Sequence, residues 1–220
     1  MLCPRCRYCQ TLERSLNLER FNIFGEIYRI DCNVCHNFLA IKLNDKVIDI
    51  NSTCSDTSMN RWEEIQTIRD KLIYYVLSQI IYLEFDSPKM ELFESPFDFA
   101  DETDIIIQRW VNGIPIGFYT VKPKGTEICV TRERYPMAVL DTAYIRSEYR
   151  KKGYGLEILS DIITRYPNQD IGFSKPISKG MLKVLKLFLI KHKEYRLRFW
   201  EIADCDINES QQLIWYRLRD

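Results

Sequence analysis

The sequence has no long apolar run, no internal repeat and no low-complexity tract. Its most apolar window, residues 72–83, contains Ser78 and Gln79 and is too short to span a bilayer. The first residues lack the apolar core of a secretory signal peptide. We therefore expect an intracellular protein, nuclear or cytoplasmic, with no membrane span. A hydrophobic content of 46% and a charged content of 28% exclude wholesale disorder.

The chain also lacks a net charge, since its 220 residues include 31 Lys and Arg and 31 Asp and Glu. This balance gives no strong signal for nucleic-acid binding through bulk positive charge. The zero net charge is the sum of two segments of opposite charge. Residues 86–104 carry seven acids and one base, a balance of −6, whereas residues 146–198 carry thirteen bases and five acids, a balance of +8. The basic segment suits a phosphate-rich ligand, and the acidic one suits a basic protein or amine acceptor, or simply solvent.

Eight cysteines are present, and a disulfide scaffold does not suit a chain that is neither short nor visibly secreted. Two Cys-x-x-Cys pairs near the start are separated by 25 residues. Four thiolates at this spacing can surround one zinc ion tetrahedrally, in a closed structural site. We predict a small zinc-ribbon-like unit over residues 1–55 whose metal ligands are Cys3, Cys6, Cys32 and Cys35.

Alternatives to a metal site are free buried thiols or a redox pair. Cys9 and His36 lie beside the two pairs and could substitute as ligands or merely flank them. The other three cysteines have no partner at motif spacing and are interpreted as buried apolar residues: Cys54, Cys129 and Cys205.

From residue 60 to 220 the pattern predicts an α/β (α+β) domain with a mixed sheet. A strand over residues 38–43 precedes it, and apolar residues from Ile65 to Leu83 recur at helical spacing. Asn112-Gly113 between two β-rich runs predicts a type I′ hairpin. The remaining predicted elements are a strand over residues 137–145, helices over 156–166 and 179–192, and strands over 170–174 and 195–202.

A glycine-containing loop follows the strand that ends near Ile145, and reads Arg150-Lys151-Lys152-Gly153-Tyr154-Gly155. Glycines between a strand and a helix let consecutive N–H groups and the helix N-terminus point at one anion. A plain strand-to-helix turn on a basic surface is the alternative. Tyr154 could stack on a ligand or pack the turn.

This loop resembles the acetyl-CoA signature of the GNAT acyltransferases, R/Q-x-x-G-x-G/A. The resemblance implies a GNAT-like mixed sheet flanked by helices. It implies that the loop holds the pyrophosphate of acetyl-CoA and that the preceding strand contacts pantetheine. The cofactor-binding residues would be Ile145, Arg150, Lys151, Lys152, Gly153, Tyr154 and Gly155.

An acyltransferase also needs a base, and Asp141 on the predicted strand, in phase with Ile145, is the candidate catalytic residue. The alternative is that Asp141 pairs with a backbone amide or a nearby base. Many GNAT enzymes place a tyrosine in the later helix to protonate the leaving thiolate. This sequence offers Phe188 there, which weakens the enzymatic interpretation.

A second resemblance covers residues 72–202. Blocks such as Ile116-Gly117-Phe118-Tyr119-Thr120-Val121-Lys122-Pro123 and Val139-Leu140-Asp141-Thr142 are similar to the soluble lamina-associated protein family (family with sequence similarity 169). This resemblance implies a GNAT-like fold and a nuclear setting near the lamina, and no established activity. Two functions are therefore expected: an acyl-CoA-dependent N-acyltransferase, or a non-catalytic GNAT-fold scaffold or binding protein.

Overall fold

The computed structural model describes residues 2–7, 10–48, 59–128, 131–203 and 211–219. Most of the predicted boundary at residues 51–60 lies outside these ranges. So do Cys9, Cys54, Cys129 and Cys205.

The first sheet has four antiparallel strands in sequential order. Its third strand confirms the strand predicted over residues 38–43, and the other three were not predicted. Strand β2 is largely buried, whereas β1 is exposed throughout. The strands are β1 (Thr11–Ser15), β2 (Ile27–Cys32), β3 (Phe38–Leu43) and β4 (Lys46–Ile48).

The second sheet has seven strands in the order β11-β10-β9-β8-β7-β6-β5. Strands β8, β9 and β10 are parallel to one another, and the other neighbours are antiparallel. The strands are β5 (Trp62–Glu64), β6 (Ile105–Val111), β7 (Ile114–Lys122), β8 (Ala138–Ile145), β9 (Ile171–Ser174), β10 (Phe199–Ile202) and β11 (Gln212–Leu213).

The hairpin between β6 and β7 forms as predicted. Asn112 has φ +50° and Gly113 has φ +75°, the two positive angles that a type I′ turn requires. This turn sets the register next to it, Val111 opposite Ile114 and Trp110 opposite Pro115, before the register shifts between Trp110 and Arg109.

Helix α1 (Ile68–Tyr75) continues without a break as a π-helix (Val76–Asp86). It begins three residues later than the apolar pattern predicted, because Thr67 and Asp70 form a reciprocal capping box at its N-terminus. Ile68 is consequently 50% exposed, and Ile65 precedes the helix.

Three further α-helices follow in the described part of the chain: α2 (Tyr154–Arg165), α3 (Lys179–Lys191) and α4 (Ile214–Arg217). Predicted helices 156–166 and 179–192 are confirmed to within two residues. Strand β10 starts four residues later than predicted, since Lys193–Tyr195 forms a 3-10 turn.

Helices cover both faces of the second sheet. The α1 side of the core includes Tyr74, Phe118 and Tyr144, and the α2 and α3 side includes Leu159 and Phe188. This arrangement confirms the predicted α+β class, a mixed sheet flanked by helices. Among the described residues, no helix is long and apolar enough to cross a membrane.

Candidate functional site

Strands β8 and β9 part in the middle of the second sheet. Strand β9 pairs with β8 only from Ala138 to Leu140, within the fully described residues 131–203. At the same point β8 contains a β-bulge, because its register against β7 slips by one residue between Tyr119 and Val121. A bulge bends the strand that carries it. The second half of β8 therefore leaves β9 and presents an open edge.

Two threonines stabilise this bulge. Thr120 on β7 accepts a hydrogen bond from the backbone N–H of Thr142 at 3.1 Å, and the two hydroxyl groups are 2.6 Å apart. Thr120 is almost completely buried. The side chain thus replaces the ladder hydrogen bond that the bulge removes.

The glycine-containing loop begins where the open edge of β8 ends. Ser147–Tyr149 forms a 3-10 turn, Lys151 has φ +61° and Gly153 has φ +94°, after which α2 starts. The side chains of Lys151 and Lys152 are exposed. The first N–H groups of an α-helix have no carbonyl partner within the helix, so this loop presents free donors next to two cations.

The two glycines of the motif have different physical roles. A Cβ atom on Gly153 would meet no atom within 4 Å, so glycine is favoured there by its positive φ. A Cβ atom on Gly155 would lie 2.9 Å from Cγ2 of Val184 on α3. Gly155 therefore lets α2 and α3 pack closely.

Arg150 stabilises the start of the glycine-containing loop. Its Nε donates to the carbonyl of Ile145 at 2.9 Å, and its terminal nitrogens lie 3.8 Å from Asp86 and 3.7 Å from Glu94. Asp86 also accepts hydrogen bonds from the Tyr144 hydroxyl at 2.7 Å and from the Ser147 N–H at 2.8 Å. The acidic segment thus holds both ends of the turn that leads into the loop.

Arg109 on β6 is buried under the start of α2. Its Nε donates to Glu157 at 3.0 Å, and its guanidinium lies 5.4 Å from the centre of the Tyr154 ring. Tyr154 therefore packs against a cation of the protein itself. Sequence reasoning missed Arg109, because its place in an apolar strand gave no local signal.

Asp141 lies at the bulge. Its Oδ1 accepts a hydrogen bond at 2.8 Å from the hydroxyl of Ser174, the last residue of β9. This contact bridges the two strands where their ladder has ended. The gap between β8 and β9 therefore begins at Asp141. Ile145 lies at the far end of this gap, beside the glycine-containing loop.

Charged residues missed by the sequence analysis lie near Asp141. Lys122 on β7 binds Asp101 at 2.8 Å and the fully buried carboxyl group of Asp104 at 3.2 Å. Burial raises the pKa of Asp104. Burial would lower the pKa of Lys122, but Asp101, Asp141 and Asp104 raise it above its ordinary value, so Lys122 is a cation and cannot serve as a base.

A cavity of about 160 Å³ lies beside Asp101 and Asp104, between the β1–β2 connection and the start of β6. It contains none of the predicted site residues. Its charged lining is mostly acidic: Glu64, Asp101, Glu102 and Asp104, with Lys71 and Arg20.

Phe188 occupies the later helix as the sequence indicated. It is buried, its ring stacks against Phe199, and its other aromatic neighbours are His192 and Tyr195. The side chain is part of the core, and α3 contains no tyrosine.

The four predicted thiol ligands converge. All four Sγ atoms lie within 4.8 Å of one another, with 3.6 Å between Cys3 and Cys35 and 3.3 Å between Cys6 and Cys32. Zinc–sulfur bonds of about 2.3 Å place tetrahedral thiolates about 3.8 Å apart. These positions therefore suit a metal ion.

The two Cys-x-x-Cys turns share one backbone conformation. Each first cysteine accepts a hydrogen bond at 2.9 Å from the N–H four residues later, and that later residue has positive φ: Arg7 at +61° and His36 at +56°. His36 is exposed and lies outside the thiol cluster.

Backbone N–H groups favour the thiolate form in this cluster. The N–H of Cys35 lowers the pKa of Cys32 to about 6, and the N–H of Cys6 lowers the pKa of Cys3, although burial opposes both shifts. The N–H of Asn37 also favours the thiolate of Cys35, but burial and the sulfurs of Cys3 and Cys32 raise the pKa of that thiol.

No family model matches the chain. Protein FAM169B from Mus musculus is 30% identical to it over 170 residues, which cover 74% of this chain and 49% of that protein. The chain belongs to the family with sequence similarity 169. Protein FAM169BP from Homo sapiens is 28% identical over 123 residues, covering 54% of this chain and 62% of that protein. This family member thus spans about half to three-fifths of the length of these curated relatives.

Solved structures with a similar arrangement include acetyltransferases. An aminoglycoside acetyltransferase from an uncultured soil metagenomic sample, in complex with trehalose, has a TM-score of 0.38 and 8% identity, over 60% of this chain and 86% of that one. An acetyltransferase from Vibrio fischeri has a TM-score of 0.36 and 19% identity, over 51% and 93% of the two chains.

Proposed function

We propose that the chain binds acetyl-CoA or a related acyl-CoA between the open edge of β8 and the N-terminus of α2. One observation carries this proposal: the bulge at Asp141 and Thr142 coincides with the point where β9 leaves β8. The backbone groups of the open edge could then bind an extended chain such as pantetheine, as an added strand would.

The charges of the loop support the same placement. Lys151 and Lys152 are exposed beside the first N–H groups of α2, and Gly153 leaves the space above the turn open. A pyrophosphate suits this position because a helix N-terminus and two ammonium groups all favour negative charge.

In the acyltransferase form of this proposal, acyl-CoA supplies the activated thioester, and an acceptor amine is acylated. Asp141 lies at the bulge and would take the proton of that amine, held in place by the Ser174 hydroxyl. A positively charged amine would also be attracted by the nearby carboxylates of Asp101 and Asp104.

The alternative is a GNAT-fold binding or scaffold protein that holds acyl-CoA without transferring the acyl group. It is favoured by Phe188, which offers no hydroxyl group to a leaving thiolate. The family resemblance would place such a scaffold at the nuclear lamina.

Isothermal titration with acetyl-CoA tests the binding proposal. Gly153→Glu puts a carboxylate at the anion site and should weaken binding by more than about tenfold. Gly125→Glu is the matched control, because Gly125 also has positive φ (+85°) and open surroundings but lies in the β7–β8 connection. Absence of binding by the wild type, or equal loss in both variants, contradicts the proposal.

Thiol release with a panel of amines then separates the two forms. If acetyl-CoA binds and amines release CoA, Asp141→Asn should slow the release while leaving binding intact. If acetyl-CoA binds and no amine releases CoA, the scaffold form is supported.

We further propose that Cys3, Cys6, Cys32 and Cys35 hold a structural zinc ion. Protein purified without chelator should contain about one equivalent, because a closed four-thiolate site binds zinc tightly. Cys3→Ser and Cys32→Ser should lose the metal. His36→Asn should keep it, since His36 lies outside the cluster and asparagine tolerates positive φ. Less than about half an equivalent in the wild type counts against zinc.

A further inference from the structure

Helix α3 presents a cationic face that the acyl-CoA proposal does not use. Its thirteen residues include four lysines and no acid. None of these lysines forms an ion pair with a described residue. The inward face, with Leu185, Phe188 and Leu189, is buried in the core.

Two large aliphatic side chains lie in the middle of the exposed face. Leu187 is 61% exposed and Ile190 is 51% exposed, one helical turn apart. The two side chains therefore form a small apolar patch on a face that otherwise carries lysines.

The arrangement has the register of a helix–helix seam. With Leu187 at position a and Ile190 at position d of a heptad, Lys186 falls at g and Lys191 at e, while Lys183 falls at the preceding d and ends the aliphatic strip there. An aliphatic strip flanked on both sides by lysine is complementary to a helix with an aliphatic strip flanked by Glu or Asp.

We propose that this face of α3 docks an acidic amphipathic helix of a partner protein. A second copy of α3 does not suit it, because lysines would face lysines at the flanking positions. A lipid surface does not suit it either: the broad apolar face of α3 is already buried, and only a narrow strip is left to insert.

The contact is short, since α3 is only about 20 Å long. An interface of this size is weak and transient. Its affinity should fall as salt is added, because exposed ion pairs are screened.

The test uses a synthetic helix of about three heptads with Leu at a and d and Glu at e and g, and a twin with Lys at e and g. Fluorescence anisotropy should show binding of the Glu helix, on the order of micromolar, and no binding of the Lys helix. The double substitution Leu187→Ser and Ile190→Ser should abolish binding of the Glu helix.

A charge reversal gives the sharpest result. Lys186→Glu with Lys191→Glu should lower affinity for the Glu helix by more than about tenfold and create binding to the Lys helix. Lys46→Glu with Lys124→Glu, two exposed lysines on β4 and on the β7–β8 connection, is the control of equal charge. All these side chains are exposed, and unchanged metal content and urea unfolding verify the fold.

Three results with the synthetic helices would overturn the proposal, as would either of the two alternative assignments below. They are equal binding of both helices, binding unaffected by the charge reversal, and failure of the wild type to bind the Glu helix. Sedimentation of the wild type as a dimer that Leu187→Ser abolishes would assign the face to a second copy. Binding of phosphatidylserine vesicles without binding of the Glu helix would assign it to a membrane.

Discussion

At the scale of single residues, the glycines around the opening are required for different reasons. Gly153 provides a positive φ, and Gly155 provides room for Val184. Gly117 on β7 provides room for backbone: a Cβ atom there would lie 2.3 Å from the carbonyl oxygen of Tyr144. The end of β8 that carries Ile145 is therefore positioned by a close approach to Gly117.

Gly117→Ala should lower the free energy of unfolding by more than about 2 kcal/mol, because the atom it would strike is backbone and cannot rotate away. Gly180→Ala, at an exposed position of α3 where a Cβ atom would have no neighbour closer than 3.8 Å, should raise the free energy of unfolding by up to about 1 kcal/mol. Urea unfolding followed by circular dichroism measures both. A Gly117→Ala change within 0.5 kcal/mol of the wild type, roughly the range of a surface substitution, would show that the strands do not approach so closely.

At the scale of elements, the acidic segment and the basic segment contact each other. Asp86 and Glu94 lie beside Arg150 of the basic segment, and Asp101 pairs with Lys122 on β7, which lies outside that segment. Several acids of this segment therefore stabilise the fold. Fewer of them are left to face solvent or to attract a basic acceptor, the two roles expected from the sequence. Asp86 ends the π-helix and holds the turn before α2, so it couples these two elements.

Asp86→Ala should weaken acetyl-CoA binding by about tenfold and destabilise the fold by about 1.5–3 kcal/mol, because it leaves the Tyr144 hydroxyl and the Ser147 N–H without their acceptor. Asp86→Asn keeps an acceptor oxygen, so it should lose less acetyl-CoA affinity and less stability than Asp86→Ala. Asp98→Ala, an exposed acid of the same segment, is the control. Isothermal titration with acetyl-CoA and urea unfolding should both show the largest loss for Asp86→Ala, a smaller loss for Asp86→Asn and the smallest for Asp98→Ala. Equal effects at Asp86 and Asp98 would contradict this role of Asp86.

At the scale of the whole molecule, the first sheet and the π-helix share one apolar cluster. Ile27 and Ile41 of the first sheet pack with Leu77 and Ile80 of the helix, and Arg29 makes a bidentate ion pair with Glu84. The thiol cluster is attached to β2 through Cys32. Loss of order around the thiols should therefore affect the second sheet as well.

Removal of the proposed zinc ion with a chelator, or Cys32→Ser, should lower the melting temperature of one cooperative transition, because Ile27 and Ile41 of the first sheet share an apolar cluster with Phe118 of the second sheet. Scanning calorimetry of the loaded and stripped protein measures this, and His36→Asn serves as the unaffected control. Two transitions, of which only the first responds to the metal, would show that the two sequence units unfold independently.

The sequence by itself determined the features that depend on local backbone preference and on residue spacing. Asn112-Gly113 forms the hairpin because both residues tolerate positive φ, and the two Cys-x-x-Cys turns bring four thiols together. The alternation of helices and strands after residue 137 follows the apolar pattern, which is why those boundaries were predicted within a few residues.

Only the tertiary structure decided where the strands part and which side chains meet there. Asp141 and Ser174 are 33 residues apart, and Arg109 and Glu157 are 48 apart, yet each pair is in hydrogen-bond contact. No local pattern encodes such contacts, because they depend on strand register and on a bulge that one hydroxyl group of Thr120 stabilises. The lack of net charge is fixed by composition, but only the tertiary structure decided that Asp86 and Glu94 of the acidic segment meet Arg150 of the basic one, while the lysines of α3 stay exposed.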